Sequence, residues 1–228
     1  MSLRLSVIIP VLNEATIIES ALENFPWQQG VEVLIVDGGS EDGTVELCRQ
    51  YPCILLQSPQ TGRAWQMNWG AAAAQGEILL FLHLDGQLPQ EYVDIIENTL
   101  NRNQAIAGAF RFQVAFSGWR YRILEWLVNW RSRYWQLPYG DQGLFIRREQ
   151  FVQTCGFPEI PLLEDYEWVK RLQAVGNIKI APVPVISSGR RWQKLGLLRT
   201  TWINQRVLWG YRQGIAPETL ADCYYLRR

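Results

Sequence analysis

The 228-residue sequence predicts an α/β fold, with a mostly parallel central sheet flanked by helices and a C-terminal helical extension. Three observations predict it. Apolar, β-rich runs alternate with helix-like stretches through the first half, the pattern of parallel strands joined by crossover helices. Three successive strand ends carry acidic or amide groups. Apolar residues make up 48% of the chain, enough for one sizeable core and too many for disorder.

The elements follow in order. Leu5–Val11 reads as a buried strand, then Asn13 and Glu14, then a helix over Ala15–Asn24. Val31–Val36 is a second strand ending at Asp37, and Gly38-Gly39-Ser40 turns the chain. Ser40, with Glu41 and Asp42, is expected to start a helix through Tyr51. Ile54–Leu56 is a short third strand, Ala64–Ala74 a helix and Ile78–Leu82 the fourth strand. That strand runs into His83, the chain's single histidine, and then Asp85. Pro89–Asn101 reads as a helix, Ala107–Phe116 and Gly143–Arg147 as strands, and Glu164–Ala174 as a helix. Residues 1–186 form the main domain and 187–228 a helical extension packed on it.

Ligands of such sheets sit outside the carboxyl ends of the strands. Here those ends hold Asn13-Glu14, Asp37-Gly38-Gly39-Ser40 and His83-Leu84-Asp85. One such end would carry little weight. Three in succession mark a site.

Charge sums to zero but is divided. Residues 1–100 hold 13 acids and 3 bases, and residues 101–228 hold 9 acids and 19 bases. The halves either neutralise each other or turn the basic half toward something anionic. Nucleic acid is disfavoured by the zero net charge and the lack of a basic-aromatic module. No apolar run reaches the ~18–20 residues that span a bilayer. The early Pro10 and Asn13 argue against a signal peptide. Cys48, Cys53, Cys155 and Cys223 show no metal-type spacing and read as reduced thiols of a cytoplasmic protein.

The run Val7-Ile8-Ile9-Pro10-Val11-Leu12-Asn13-Glu14 and the run Val36-Asp37-Gly38-Gly39-Ser40-Glu41-Asp42-Gly43-Thr44 resemble the opening of family 2 glycosyltransferases. The likeness continues through Gly62-Arg63-Ala64, Leu82-His83-Leu84-Asp85, Gly140-Asp141-Gln142-Gly143 and Leu163-Glu164-Asp165. It is closest to the bacterial arsenosugar-biosynthesis glycosyltransferase-like group, whose tail Arg190-Arg191-Trp192 through Pro217-Glu218-Thr219-Leu220-Ala221 also matches. The resemblance implies a GT-A fold, a nucleotide-sugar donor (UDP-linked first), Mg2+ or Mn2+, and inversion at the anomeric carbon. Rival readings are a sugar nucleotidyltransferase, which would open on a glycine-rich basic phosphate loop, and a non-catalytic nucleotide-sugar-binding protein.

Sugar transfer requires a stabilised leaving diphosphate and a base for the acceptor hydroxyl. A hard cation held by one or two carboxylates serves the first need, and a positioned carboxylate the second. Asp37 can accept from a uracil-like imide, Glu14 from ribose hydroxyls, and Arg63 can meet phosphate; Pro10, Asn13, Gly38 and Ser40 complete the donor side. Asp37 otherwise reads as a turn residue. The sequence FLHLDG stands where the family's DXD metal motif falls, with His83 in place of the first aspartate. Asp85 is the first choice of metal ligand. His83 is an outer donor, a ligand for a borderline metal such as Mn2+, or, as favoured, a strand-end packing residue.

The likeness makes Asp165 the candidate base, with Glu164 as neighbour or substitute and Asp141 as rival. Arg190 and Arg191 either close over the diphosphate or form an exposed basic turn. Trp119, Ile123, Trp126, Leu127, Trp130 and Tyr134 fall on one helical face flanked by arginines. Core is the first expectation for such a stripe. A membrane-facing helix or a surface for a lipid-like acceptor is the second.

Overall fold

A computed structural model of the chain describes residues 3–102 and 104–225, with the side chains of Arg102, Arg191 and Tyr225 outside that description. The first half runs β1 (Leu5–Val11), α1 (Ile18–Glu23), β2 (Val31–Asp37), α2 (Thr44–Cys48), β3 (Ile54–Gln57), α3 (Arg63–Ala73) and β4 (Ile78–Phe81). The short β5 (Gly86–Gln87), α4 (Tyr92–Arg102), β6 (Ala107–Val114) and α5 (Trp119–Tyr134) follow. A 3-10 turn at Gly140–Gln142 leads into β7 (Leu144–Arg147), α6 (Arg148–Gln153), α7 (Glu164–Val175) and β8 (Ile178–Ser187). The chain then becomes helical in α8 (Arg190–Leu195), α9 (Leu197–Arg212) and α10 (Pro217–Tyr225).

One sheet holds all of these strands, in the order β3-β2-β1-β4-β7-β6-β8-β5. β3, β2, β1 and β4 are parallel, β7 runs antiparallel between β4 and β6, and β8 is parallel to β6. Only β7 and β5 oppose the common direction, as the antiparallel pairings of β4 with β7 and of β5 with β8 show. The sheet is therefore mostly parallel, as the alternation predicts.

Period-2 alternation divides the strands between two cores. Val7, Ile9, Val33, Ile35 and Leu80 face the layer under α1, α2 and α4. Ile8, Leu34, Val36, Leu79 and Phe81 face the layer under α3 and α7. On this second side Gly70 lets α3 approach closely: a Cβ there would stand 2.6 Å from Ile8 Cγ2.

Two expectations are corrected. Ser40 does not start a helix. α2 begins at Thr44 behind Gly43, whose φ is +90°, and Asp42 accepts from the Thr44 backbone N–H. The aromatic stripe on α5 is not core: Trp119, Trp126 and Tyr134 are each more than 60% exposed. The buried positions of α5 are polar instead, Glu125 and Ser132. Their reason lies in β6. Its pairing with β7 covers only Ala107–Ala109, so further along that edge side chains take the place of a strand. Asn129 accepts from the Phe112 N–H and donates to its carbonyl. Glu125 accepts from the Val114 N–H, and Gln142 donates to the Phe110 carbonyl. Buried main-chain groups need partners. The inner face of α5 is polar because it supplies them.

Candidate active site

Two turns at the ends of β1 and β2 are stapled together. The N–H groups of Asn13, Glu14 and Ala15 donate to the side chains of Ser40, Thr44 and Asp42, respectively. In return, Asn13 Oδ1 accepts from the Glu41 N–H. The staple holds Asn13 at φ +53°, a left-handed conformation that asparagine tolerates better than most residues. Asp37 is buried, and its carboxylate accepts from the N–H groups of Gly39 and Ser40 and from the Ser40 hydroxyl. Gly38 is glycine for closeness: a Cβ would meet the Gln66 amide at 3.0 Å. That amide donates 2.7 Å bonds to the carbonyls of Val11 and Val36, clamping β1 to β2. Asn13, Asp37 and Ser40 thus spend their side chains on the two turns themselves, beside Gly38. Of the donor residues expected from this end of the sheet, Pro10 and Glu14 line the adjoining cavity.

The cavity measures about 420 Å³ and is bordered by Pro10, Glu14, Arg63, His83, Asp85, Arg190 and Lys194. The turns after β1 and β4 supply its acids, Glu14 and Asp85, and α8 supplies two of its bases. Arg190 reaches across, Nη1 standing 3.0 Å from Glu14 and Nε 3.8 Å from Asp85. The Ser188 hydroxyl donates to Asp85 Oδ2. Lys194, one helical turn beyond Arg190, is a site residue that sequence reading passes over; its signal is the i, i+4 spacing. The side chain of Arg191 lies outside the described residues.

A narrow recess shares Arg63 and His83 with this cavity and adds Gly140, Glu164 and Asp165. Leu163, in a left-handed conformation at φ +67°, turns the chain into α7. Asp165 sits in the first turn, where its oxygens accept 2.7 Å bonds from the N–H groups of Gly140 and Tyr166. Each oxygen retains capacity for a second donor. Glu164 is buried and pairs with Arg63 at 3.4 Å. Burial, with Asp165 nearby, pushes its carboxyl up to about 6 against the pull of Arg63. Asp141 is likewise raised to about 6 by burial, opposed by Arg131, and its Oδ1 is buried without a hydrogen-bond partner. His83 is lowered to about 4, chiefly by burial and then by Arg63. It is a neutral imidazole at neutral pH.

No group of three or more His, Cys, Asp or Glu among the described residues forms a metal cage. That fits a hard cation held by one carboxylate with the rest of its shell from phosphate and water. Asp85, facing the cavity beside a neutral imidazole, has the position such a ligand needs. Glu164 is buried and tied to Arg63, whereas Asp165 is half-buried in the recess.

The sequence of residues 6–156 matches the model of glycosyl transferase family 2. The chain belongs to that family. This family 2 chain is 38% identical over 100 residues to the glycosyltransferase AglE of Haloferax volcanii, covering 39% of itself and 33% of AglE. It is 26% identical over 118 residues to an undecaprenyl-phosphate 4-deoxy-4-formamido-L-arabinose transferase of Aeromonas hydrophila, covering 46% and 36%. The matches thus span about a third of these relatives' own length. Among solved structures it is similar to a mannosyltransferase of Pyrobaculum calidifontis in complex with GDP-Man and Mn2+. There the TM-score is 0.69 and the identity 20%, over 96% of this chain and 67% of that one. A similar fold is seen in S. aureus TarS residues 1–349 with UDP, at TM-score 0.64 and 16% identity, over 81% and 60%. These likenesses place the fold among glycosyltransferase structures.

Proposed function

We propose that the chain is an inverting glycosyltransferase that moves a sugar from a nucleotide-diphosphate donor, UDP-linked first, to an acceptor hydroxyl of a small or lipid-like molecule. The observation that carries the reading is the cavity at the strand ends. There Asp85 from the sheet faces Arg190 and Lys194 from α8, while Asp165 stands in the adjoining recess. Residues 1–186 are the catalytic body and 187–228 its helical arm.

In this reading Glu14 accepts from the ribose and the stapled turns shape the nucleoside platform. Asp37 serves that platform by holding its turn. Asp85 would hold Mg2+ or Mn2+, which when bound supplies positive charge to the diphosphate. Arg190 and Lys194 place two further positive charges where the leaving group gathers negative charge, the arrangement that favours departure. Arg190 must exchange Glu14 and Asp85 for phosphate oxygens as the donor enters. Asp165, fixed by two backbone N–H groups, takes the proton of the acceptor hydroxyl. His83 packs the strand end beside Asp85 as a neutral imidazole, setting no like charge against the cation that Asp85 would hold.

Calorimetric titration with UDP and GDP, each with and without Mn2+, tests the donor side. Tighter binding of UDP with Mn2+ than without it is expected, and no binding of either nucleotide would remove the reading. Proton NMR of the product then reads the anomeric configuration. Retention would overturn inversion.

A further inference from the structure

α5 is an inside-out helix, and the reason for its polar inner face leaves an outer face that nothing among the described residues covers. Trp126, Trp130 and Tyr134 lie on that outer face with Ile123 and Leu127, all exposed. The aromatic rings pack on one another, Trp130 standing 5.6 Å from Tyr134 and 5.1 Å from Trp135. A preformed aromatic patch loses little side-chain entropy when it is covered. At 100° per residue, Arg120 and Arg133 fall at the two edges of this stripe, and both are exposed.

We infer that this face docks on an anionic lipid surface, α5 lying in the headgroup layer with its tryptophans inward and its arginines on phosphate. Charge chooses the occupant. The one carboxylate of α5, Glu125, is buried and engaged by Arg122 and by the Val114 N–H. Two copies packed face to face would set arginine against arginine with no acid between them. Anionic headgroups supply the missing sign. Side-chain type agrees: tryptophan and tyrosine favour the membrane interface, and arginine reaches outward from it. No helix among the described residues is long and apolar enough to cross a membrane, so the helix lies on the surface. α9 repeats the composition. It has no carboxylate, exposes Leu198, Trp202 and Trp209, and carries the Arg206 guanidinium 4.7 Å from the Trp202 ring centroid.

The full chain is to be sedimented with vesicles of phosphatidylcholine alone and of phosphatidylcholine mixed with phosphatidylglycerol, at low and high salt. Binding to the mixed vesicles that weakens with salt is expected. Two variants locate it: Trp126→Gln with Trp130→Gln, and Arg120→Glu with Arg133→Glu. Each should lower partitioning by about tenfold or more, with circular dichroism melts unchanged because all four residues are exposed. Absence of binding to anionic vesicles at low salt would overturn the inference, as would unchanged binding by both variants. A concentration-dependent dimer without lipid, abolished by the tryptophan pair, would assign the face to a second copy instead. The test uses neither donor nor turnover, so its failure is separate from a failure of the proposed transfer.

Discussion

Asp85 and Asp165 share His83 as a neighbour, yet they face different spaces, so the tasks proposed for them are separable. Asp165→Asn removes a proton acceptor while keeping the shape, so turnover should fall by about 10²–10⁴-fold. UDP affinity by calorimetry should stay near that of the unaltered chain, since the donor cavity lies beside Glu14, Asp85 and Arg190. Asp85→Asn should instead abolish the part of UDP binding that depends on Mn2+, whereas His83→Ala should keep most of it. If His83→Ala does the greater damage, the imidazole is the ligand. Asp141 offers a test by pH. Its carboxyl rises from 3.8 to about 6 on folding, so between those values the native state holds more protons than the unfolded one. Stability contributed by this group is present at the acid end and is lost as pH rises through the window. Asp141→Asn cannot ionise. It should melt above the unaltered chain at about pH 8, while the two should nearly coincide at about pH 4.

At the scale of elements, α5 ties a sheet edge through side chains, and that tie has a measurable cost. Asn129→Leu would leave the Phe112 N–H and carbonyl without their partners. The expected loss is about 2–4 kcal/mol in a urea melt, from two unsatisfied main-chain groups. A change below about 0.5 kcal/mol would mean that water reaches the edge. The helix also shows where sequence reading stops. β1, β2 and β4 were legible because their near-continuous apolar runs report two buried faces, and the strand ends Glu14, Asp37 and Asp85 were legible because polar groups interrupt apolar runs. An amphipathic stripe reports only that a helix has two faces. Which face turns inward depends on what the sheet presents, and β6 presents unpaired main chain. Gln66 escaped notice for a related reason: a glutamine inside a helix looks solvated until the carbonyls of Val11 and Val36 are placed beside it. Ser40 misled because its hydroxyl bonds the turn, donating to Asp37 and accepting from Asn13.

Across the whole molecule, the acidic first half and basic second half meet at the cavity proposed for the donor. Glu14 and Asp85 come from residues 1–100, and Arg190 and Lys194 from residues 101–228. The charge division seen in the sequence is therefore local chemistry here: α8 is held by Arg190 on Glu14 and Asp85 and by Ser188 on Asp85. Donor and cation would replace those pairs with phosphate contacts that also bind the arm to the body. A ligand that binds only the native state stabilises it by about 2.7 kcal/mol at a hundredfold excess over Kd. For a chain of this size that corresponds to a rise in Tm of roughly 5–10 °C. UDP with Mn2+ should produce such a rise in the unaltered chain. Arg190→Ala should lower the starting Tm only slightly, because a half-exposed ion pair contributes little, and should cut the UDP-dependent rise by more than half at the same nucleotide concentration. Lys194→Ala should cut it less, as a single point charge replaces no fork of donors. An Arg190→Ala chain that keeps the full rise would place the arm outside the donor site.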